Sequence, residues 1–303
     1  MRTHEQTVQH QFDPRAEAYL NSAVHSAGPD LEYAKGLVQR TEAHADQALD
    51  IGCGAGHLAF ALAPYLGRVV ALDPAPGMLA AVSSGAAQRG LSQIEVRQGN
   101  AESLPFPDGK LPLVCTRYSA HHWTRLETAL QEMHRVLAPG GHVLLIDTLG
   151  AEDALTDTFL QSTELLRDVS HVRNRSRNEW RSLLHSIGLT ELAYREWPTR
   201  LDFSSWVARM RTPADRVAVI RGLQEAAPRE VRESLAIEAD GSFTLRTGLF
   251  WLRKAMQRAS PGAAEDHDSS TRPGSSPGQA LGAECGLEER PRTASQIPAV
   301  CVC

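Results

Sequence analysis

Ala48-Leu49-Asp50-Ile51-Gly52-Cys53-Gly54-Ala55-Gly56 carries the decision about the fold. An aliphatic strand pattern runs into three glycines at alternate positions, and a helical pattern over His57–Tyr65 follows at once. Glycine is needed where a chain turns sharply and where its backbone must approach a ligand with no Cβ in the way. A tight strand-to-helix turn without a ligand would use the same residues. The spacing is Gly-x-Gly-x-Gly, unlike the Gly-x-Gly-x-x-Gly of dinucleotide folds, whose helix N-terminus is built around a pyrophosphate. The next strand pattern ends in Asp73, 17 residues beyond Gly56. A carboxylate there lies beside the glycine loop across two adjacent parallel strands and can accept hydrogen bonds from both hydroxyls of a ribose. Together the two features describe a nucleoside site.

Working outward, short β-type runs occur at 47–51, 68–72, 94–98, 113–118 and 142–148, with helical patterns at 57–65, 76–89 and 125–136 between them. Repeated β-α units with such short connections predict a parallel sheet covered on both faces, joined by right-handed crossovers. Pro112 lacks a ladder donor, so the fourth strand is expected to begin at Leu113. Pro139-Gly140-Gly141 is expected to end the third helix at Leu137 and to re-aim the chain into a buried strand. Beyond Gly150 the pattern turns helical at 155–168 and 178–187, and Gly188 precedes a strand expected over 189–197. Residues 203–235 read as two or three helices broken at Pro213 and Pro228, and 242–254 as a last strand.

The 303 residues carry 31 Lys plus Arg against 36 Asp plus Glu, a formal charge of −5 that argues against a nucleic-acid partner. No aliphatic run approaches the roughly 18 residues that span a bilayer, and the first residues lack the apolar stretch of a signal peptide. No membrane association and a cytoplasmic location are therefore expected. Of the five cysteines, Cys285, Cys301 and Cys303 fall in the last 19 residues, whereas Cys53 and Cys115 read as small buried side chains. Residues 256–303 hold no aromatic residue and many Pro and Gly, the composition of a disordered tail that cannot offset its ordering entropy. His4, His10, His25, His44 and His57 lack metal-ligand spacing, and no metal site is expected.

Four segments in order, Leu49 to Gly56, the Asp73 position, Gln98 to Phe106 and Arg135 to Gly141, resemble the class I S-adenosylmethionine-dependent methyltransferases. Within them the likeness is to the small-molecule branch that includes the ubiquinone/menaquinone C-methyltransferases, over roughly Gln9 to Lys254. The resemblance implies a Rossmann-like, doubly wound α/β fold with a seven-stranded, mostly parallel sheet whose last strand runs antiparallel. The methyltransferase domain would cover 1–255: an N-terminal helical lid at 1–45, a cofactor-binding core at 46–150 and a helical insert at 199–240. Gly52, Gly54 and Gly56 would let the methionine portion of S-adenosyl-L-methionine approach the backbone, with Asp50 orienting its amino group. Asp73 would bind the ribose, Met78 would pack on the adenine, and Asn100 and Ala101 would meet its edge. Asn100 stands where many relatives carry Asp, and Leu111-Pro112 replaces a common Phe-Asp pair.

Ligands of open α/β sheets lie outside the carboxyl ends of the strands, so the loop Arg117-Tyr118-Ser119-Ala120-His121-His122-Trp123 should face the transferred methyl. Arg117 opens it as a further cofactor contact. Removing a proton from an acceptor near neutral pH suits a histidine, and His121 is expected nearer the methyl than His122. Both histidines could instead serve only in packing or loop hydrogen bonds. His122, Trp123, Phe12 and Tyr19 are candidate substrate or lid residues, with an ordinary amphipathic helix as the alternative reading of Phe12 and Tyr19. The expected activity is methyl transfer to a small-molecule acceptor, with a non-catalytic S-adenosylmethionine-binding regulator and a nicotinamide-dependent oxidoreductase as the alternatives.

Overall fold

The computed structural model describes residues 1–20, 26–41 and 46–256. The first half runs α1 (His4–Phe12), α2 (Ala16–Leu20), α3 (Pro29–Arg40), β1 (Gln47–Ile51), α4 (His57–Leu62), β2 (Arg68–Asp73), α5 (Pro76–Arg89), β3 (Ile94–Gln98) and β4 (Leu111–Arg117). The second half runs α6 (Leu126–Val136), β5 (Leu137–Leu149), α7 (Ala154–Arg167), α8 (Arg177–Ser186), β6 (Leu189–Leu201), α9 (Phe203–Met210), α10 (Ala214–Ala226), α11 (Arg229–Ser234) and β7 (Phe243–Lys254). The seven strands form one sheet in the order β3-β2-β1-β4-β5-β7-β6. β1 to β5 are mutually parallel, and β7 runs antiparallel to both neighbours. The expected fold class is the observed one.

Aliphatic residues at consecutive positions make both sheet faces apolar, because successive side chains of a strand point to opposite faces. In β1, Leu49 and Ile51 join one core while Ala48 joins the other; in β5, Val143 and Leu145 oppose Leu144 and Ile146. Helix α6 covers the first face with Leu126, Ala129, Leu130, Met133 and Val136, a stripe at helical spacing. Leu130 is 1% exposed, so truncation to Ala would cost about 2–5 kcal/mol. Helices α3 and α4 cover the second face through Leu31, Leu37, Leu58 and Leu62.

The insert has its own small core, in which Trp206 meets Phe243 edge-on at 4.9 Å beside Phe203, Ile220 and Val231. Pro213 and Pro228 stand at the N-caps of α10 and α11, breaking the segment into three helices. Strand order reverses beside β1, since the chain goes to β2 and β3 on one side and returns as β4 on the other. The crevice at that switch point is where such folds bind ligands.

Several boundaries differ from expectation. β4 starts at Leu111, not Leu113: Leu111 pairs with Leu137, and a register shift between Leu111 and Leu113 absorbs the donor that Pro112 lacks. The same pairing draws Leu137 out of the helix and into β5, so α6 stops at Val136 and the strand begins before the Pro-Gly-Gly turn. Pro64 converts the end of the 57–65 helix into a 3-10 turn, and β6 extends to Leu201 because β7 pairs along its whole length. Residues 199–201 of the expected insert therefore belong to that strand. The expected tail at 256–303, apart from Met256, and His25 and His44 lie outside the described residues.

Candidate active site

The carboxyl ends of β1, β2 and β4, roofed by α1, α2 and α9, enclose a cavity of about 540 Å³, within the usual size of small-molecule sites. Gly52, Gly54 and Gly56 all adopt left-handed backbone conformations, with φ of 64°, 52° and 87°. A Cβ at Gly52 would stand 1.8 Å from the Ser119 hydroxyl, whereas one at Gly54 would meet no atom within 4 Å and would instead occupy open space at the cavity wall. The loop is held by the Gly52 and Cys53 amides, both donating to the Leu72 carbonyl at 2.8 and 3.0 Å.

Asp73 lies beside this loop, as the spacing predicted. Its Oδ2 accepts from the Gly54 amide at 2.9 Å and its Oδ1 from the Ala75 amide at 2.9 Å. Burial lifts its pKa to about 6, against the pull of those two amides. Asp50 is 1% exposed, and neither carboxylate oxygen has a well-formed hydrogen bond among the described residues. Burial raises it to about 7, with the Ala59 backbone giving partial relief and Asp73 adding repulsion. Asn100 lines the cavity with its Oδ1 buried and lacking a donor, next to the buried Ala101. Met78 is buried among Ala16, Ala55 and Ala75, with Phe12 and Tyr19 packed against that cluster.

These residues suit S-adenosylmethionine. The orphaned Asp50 carboxylate complements an ammonium, Asp73 retains lone pairs for ribose hydroxyls, the Asn100 oxygen can accept from an exocyclic amine, and Gly54 leaves room for a ligand. Arg117 is also at the wall, but its guanidinium is tied to Asp30 of α3 at 2.6 Å, each side chain 5% exposed, and stacks on the Tyr118 ring. Cys53 is only half-buried, contrary to expectation, because the loop turns it to the cavity edge; Cys115 is fully buried.

The loop after β4 starts at Tyr118, whose φ of 52° is a strained conformation for a non-glycine residue. His121 and His122 both line the cavity, their rings 4.2 Å apart. His121 Nδ1 meets Asp147 Oδ1 at 2.6 Å, and its amide donates to Asp147 Oδ2 at 3.1 Å. Burial lowers the His121 pKa, but the Asp147 charge and hydrogen bond outweigh it and hold the ring above the ordinary 6.5. The opposite holds for His122: burial and the His121 charge push it down to about 4, with its Nδ1 2.9 Å from the Ser170 carbonyl. Trp123 donates to Ser119 at 3.2 Å, which packs it against the glycine loop. The pair of histidines thus contains one ring held by a carboxylate and one kept neutral.

The pattern from Phe12 to Tyr19 is two helices, not one, because Asp13-Pro14-Arg15 forms a 3-10 turn between α1 and α2. This segment fastens to both sides of the cavity. His4 Nε2 reaches the His122 carbonyl at 3.0 Å, Gln9 donates to the Pro74 carbonyl at 3.1 Å, and Asp13 accepts from the Gly77 amide at 2.8 Å. Tyr19 donates to Met210 Sδ at 3.1 Å, while Phe12 stands edge-on to His122.

Sequence reasoning missed Asp147, Asp30, Glu164, Arg167 and Arg209. Asp147 had a signal: like Asp73, it ends an unbroken aliphatic run, Val143 to Ile146, at the carboxyl end of a strand. The other four are brought in by tertiary packing from α3, α7 and α9 and carry no local pattern.

A family profile described as a methyltransferase domain matches residues 49–145. The chain is 36% identical over 227 residues to the uncharacterized methyltransferase YcgJ of Bacillus subtilis (strain 168), covering 75% of this chain and 88% of that one. The crystal structure of YcgJ superposes with a TM-score of 0.69 over 75% of this chain and 98% of its own length, at 34% identity. The uncharacterized protein YafE of Escherichia coli (strain K12) is 44% identical over 195 residues, 64% of this chain and 93% of YafE. A demethylmenaquinone methyltransferase of Lactococcus lactis subsp. lactis (strain IL1403) is 31% identical over 152 residues, 48% of this chain and 60% of that protein.

Proposed function

The chain belongs to the class I S-adenosylmethionine-dependent methyltransferases, in the branch that resembles the ubiquinone/menaquinone C-methyltransferases, and from that premise we propose that it methylates a small-molecule acceptor by in-line displacement and releases S-adenosylhomocysteine. The observation that carries this reading is one cavity lined at one end by Asp50, Gly54, Asp73 and Asn100 and at the other by His121. When bound, the cofactor supplies an electrophilic methyl group on a sulfonium. Asp50 pairs with its ammonium, Asp73 takes the ribose hydroxyls, Asn100 and Ala101 meet the adenine edge, and Met78 packs against the ring.

His121 is the proposed general base. Asp147 occupies Nδ1, which fixes the tautomer and leaves Nε2 to receive the acceptor's proton; His122, held neutral, does not compete for it. The acceptor's electron pair forms the bond to carbon while the pair of the breaking carbon–sulfur bond stays on sulfur. Helices α1 and α2 act as a lid, with Phe12 and Tyr19 on its inner side. Holding the acceptor in line and excluding water supply much of the barrier reduction that such transfers need.

Calorimetry with S-adenosylhomocysteine, followed by transfer of labelled methyl from S-adenosylmethionine to a panel of small acceptors, tests the reading. Micromolar binding and methylation of at least one acceptor are expected. Binding of NAD with no binding of S-adenosylhomocysteine would overturn it, and cofactor binding without transfer to any acceptor would favour a regulator.

A further inference from the structure

Four arginines line the cavity. Arg117 pairs with Asp30 at 2.6 Å, Arg125 with Glu102 at 2.9 Å, and Arg167 with Glu164 at 3.5 Å. Arg209, on the last turn of α9, is partly buried and has no carboxylate oxygen within 4.0 Å among the described residues. Asp168, which also lines the cavity, accepts from the Ser170 amide, the Ser170 hydroxyl and Gln11 Nε2, all through Oδ1. Arg167 is fixed from behind: its Nε donates to the Trp206 carbonyl at 3.0 Å and its guanidinium stacks on the Trp206 ring at 4.9 Å. Burial and the neighbouring Arg167 charge depress the Arg209 pKa and outweigh the opposing pull of Tyr19 and Glu164, so the two guanidinium groups feel each other across the cavity wall. A partly buried cation that must share Glu164 with a second cation is under-compensated, and an anion would complete it.

Packing says which ligand that anion belongs to. Arg167 ends α7 and donates to the Trp206 carbonyl of α9, while the Val172 and Arg173 amides just beyond it donate to the His121 carbonyl. One segment thus holds both the arginine pair and the His121 loop, and Tyr19 of α2 meets α9 from the other side through Met210 Sδ.

Resting on the methyltransferase reading above, we propose that the methyl acceptor carries an anionic group, a carboxylate or a phosphate, which Arg209 binds with Arg167 beside it while the nucleophilic atom faces His121. Planar guanidinium groups bind both anions through paired N–H donors, and removing one should weaken the acceptor and leave the cofactor untouched.

The test uses protein saturated with S-adenosylhomocysteine and a panel of small aromatic and aliphatic carboxylates and phosphate monoesters, each matched with its neutral methyl ester. At least one anion should bind tenfold or more tightly than its ester. Arg209→Gln should abolish that preference, Arg209→Lys should keep part of it, and affinity for S-adenosylhomocysteine should stay unchanged in both. Unchanged cofactor affinity also reports an intact fold. The proposal is overturned if no anion outbinds its ester, if Arg209→Gln leaves the preference intact, or if Arg209→Gln weakens S-adenosylhomocysteine itself, which would assign Arg209 to the cofactor's carboxylate. Failure of the wild-type protein to bind S-adenosylhomocysteine would instead remove the methyltransferase reading beneath it.

Discussion

Between β1 and β3 the cavity is shaped by backbone: three left-handed glycines, amides donating to Asp73, and a carboxylate buried at the end of a strand. Between β4 and β6 it is shaped by side chains from separate segments, with His121 held by Asp147 of β5 and Arg209 delivered by α9. The first region is hydrogen-bonded within itself and specified locally, as suits recognition of one invariant ligand. The second depends on packing among loops and an insert, the parts of a fold that vary most readily. Substitutions in the first region should therefore change cofactor affinity alone, and substitutions in the second should change turnover or acceptor affinity alone.

The largest expected effect lies in the second region. His121→Ala should lower kcat by about 10²–10⁴-fold with S-adenosylhomocysteine affinity unchanged, read by steady-state kinetics beside calorimetry. Asp147→Asn tests the positioning role by a different readout. Loss of the carboxylate charge removes what raises His121, so the ascending limb of the pH–rate profile should move to lower pH, whereas a purely structural role would lower the plateau and leave the limb in place. A drop in cofactor affinity in either variant would break the comparison.

Next comes Asp73→Ala, which removes a charged acceptor for two hydroxyls and strands the Gly54 and Ala75 amides. At about 1.5 kcal/mol for each hydrogen bond to the charge, S-adenosylhomocysteine should bind roughly 100-fold more weakly. A smaller effect is expected from pH. Asp50 is raised to about 7 and must be ionised to pair with an ammonium, so affinity should fall about tenfold as pH drops from 8 to 6. Asp50→Asn should flatten that dependence, and an affinity that rises on acidification would contradict the pairing. The smallest concerns stability. Asp202 caps α9 by accepting from the Ser205 amide at 2.8 Å, and Asp202→Ala should cost about 1 kcal/mol, a fall of roughly 2–4 °C in Tm. Acceptor affinity should follow that loss and cofactor affinity should not.

The same division explains what the sequence made legible. The glycine loop and Asp73 follow from local periodicity and spacing, and β1 to β4 were within reach because they are short and regularly interrupted, whereas the seven-stranded sheet with its antiparallel last strand came from the family resemblance. Pro112 misled by one pair of residues, since a bulge accommodates the missing donor without ending the strand. Arg209 could not be read at all: its significance is that no carboxylate of the described residues lies within 4.0 Å of it, and such distances are set by the tertiary packing that brings α9 beside α7. Arg117 shows the converse, because its Asp30 partner lies 87 positions earlier in the chain.

Helix α1 makes hydrogen bonds to both regions, to Pro74 on one side and to the His122 carbonyl and Asp168 on the other. One segment thus touches the surroundings of both ligands, so a ligand that steadies it is expected to favour the other. By reciprocity of linked equilibria the factor by which S-adenosylhomocysteine tightens the acceptor would equal the factor by which the acceptor tightens S-adenosylhomocysteine. Shortening the Gln11 side chain by Gln11→Ala would shrink both factors together, giving an enzyme whose two ligands bind more nearly as strangers.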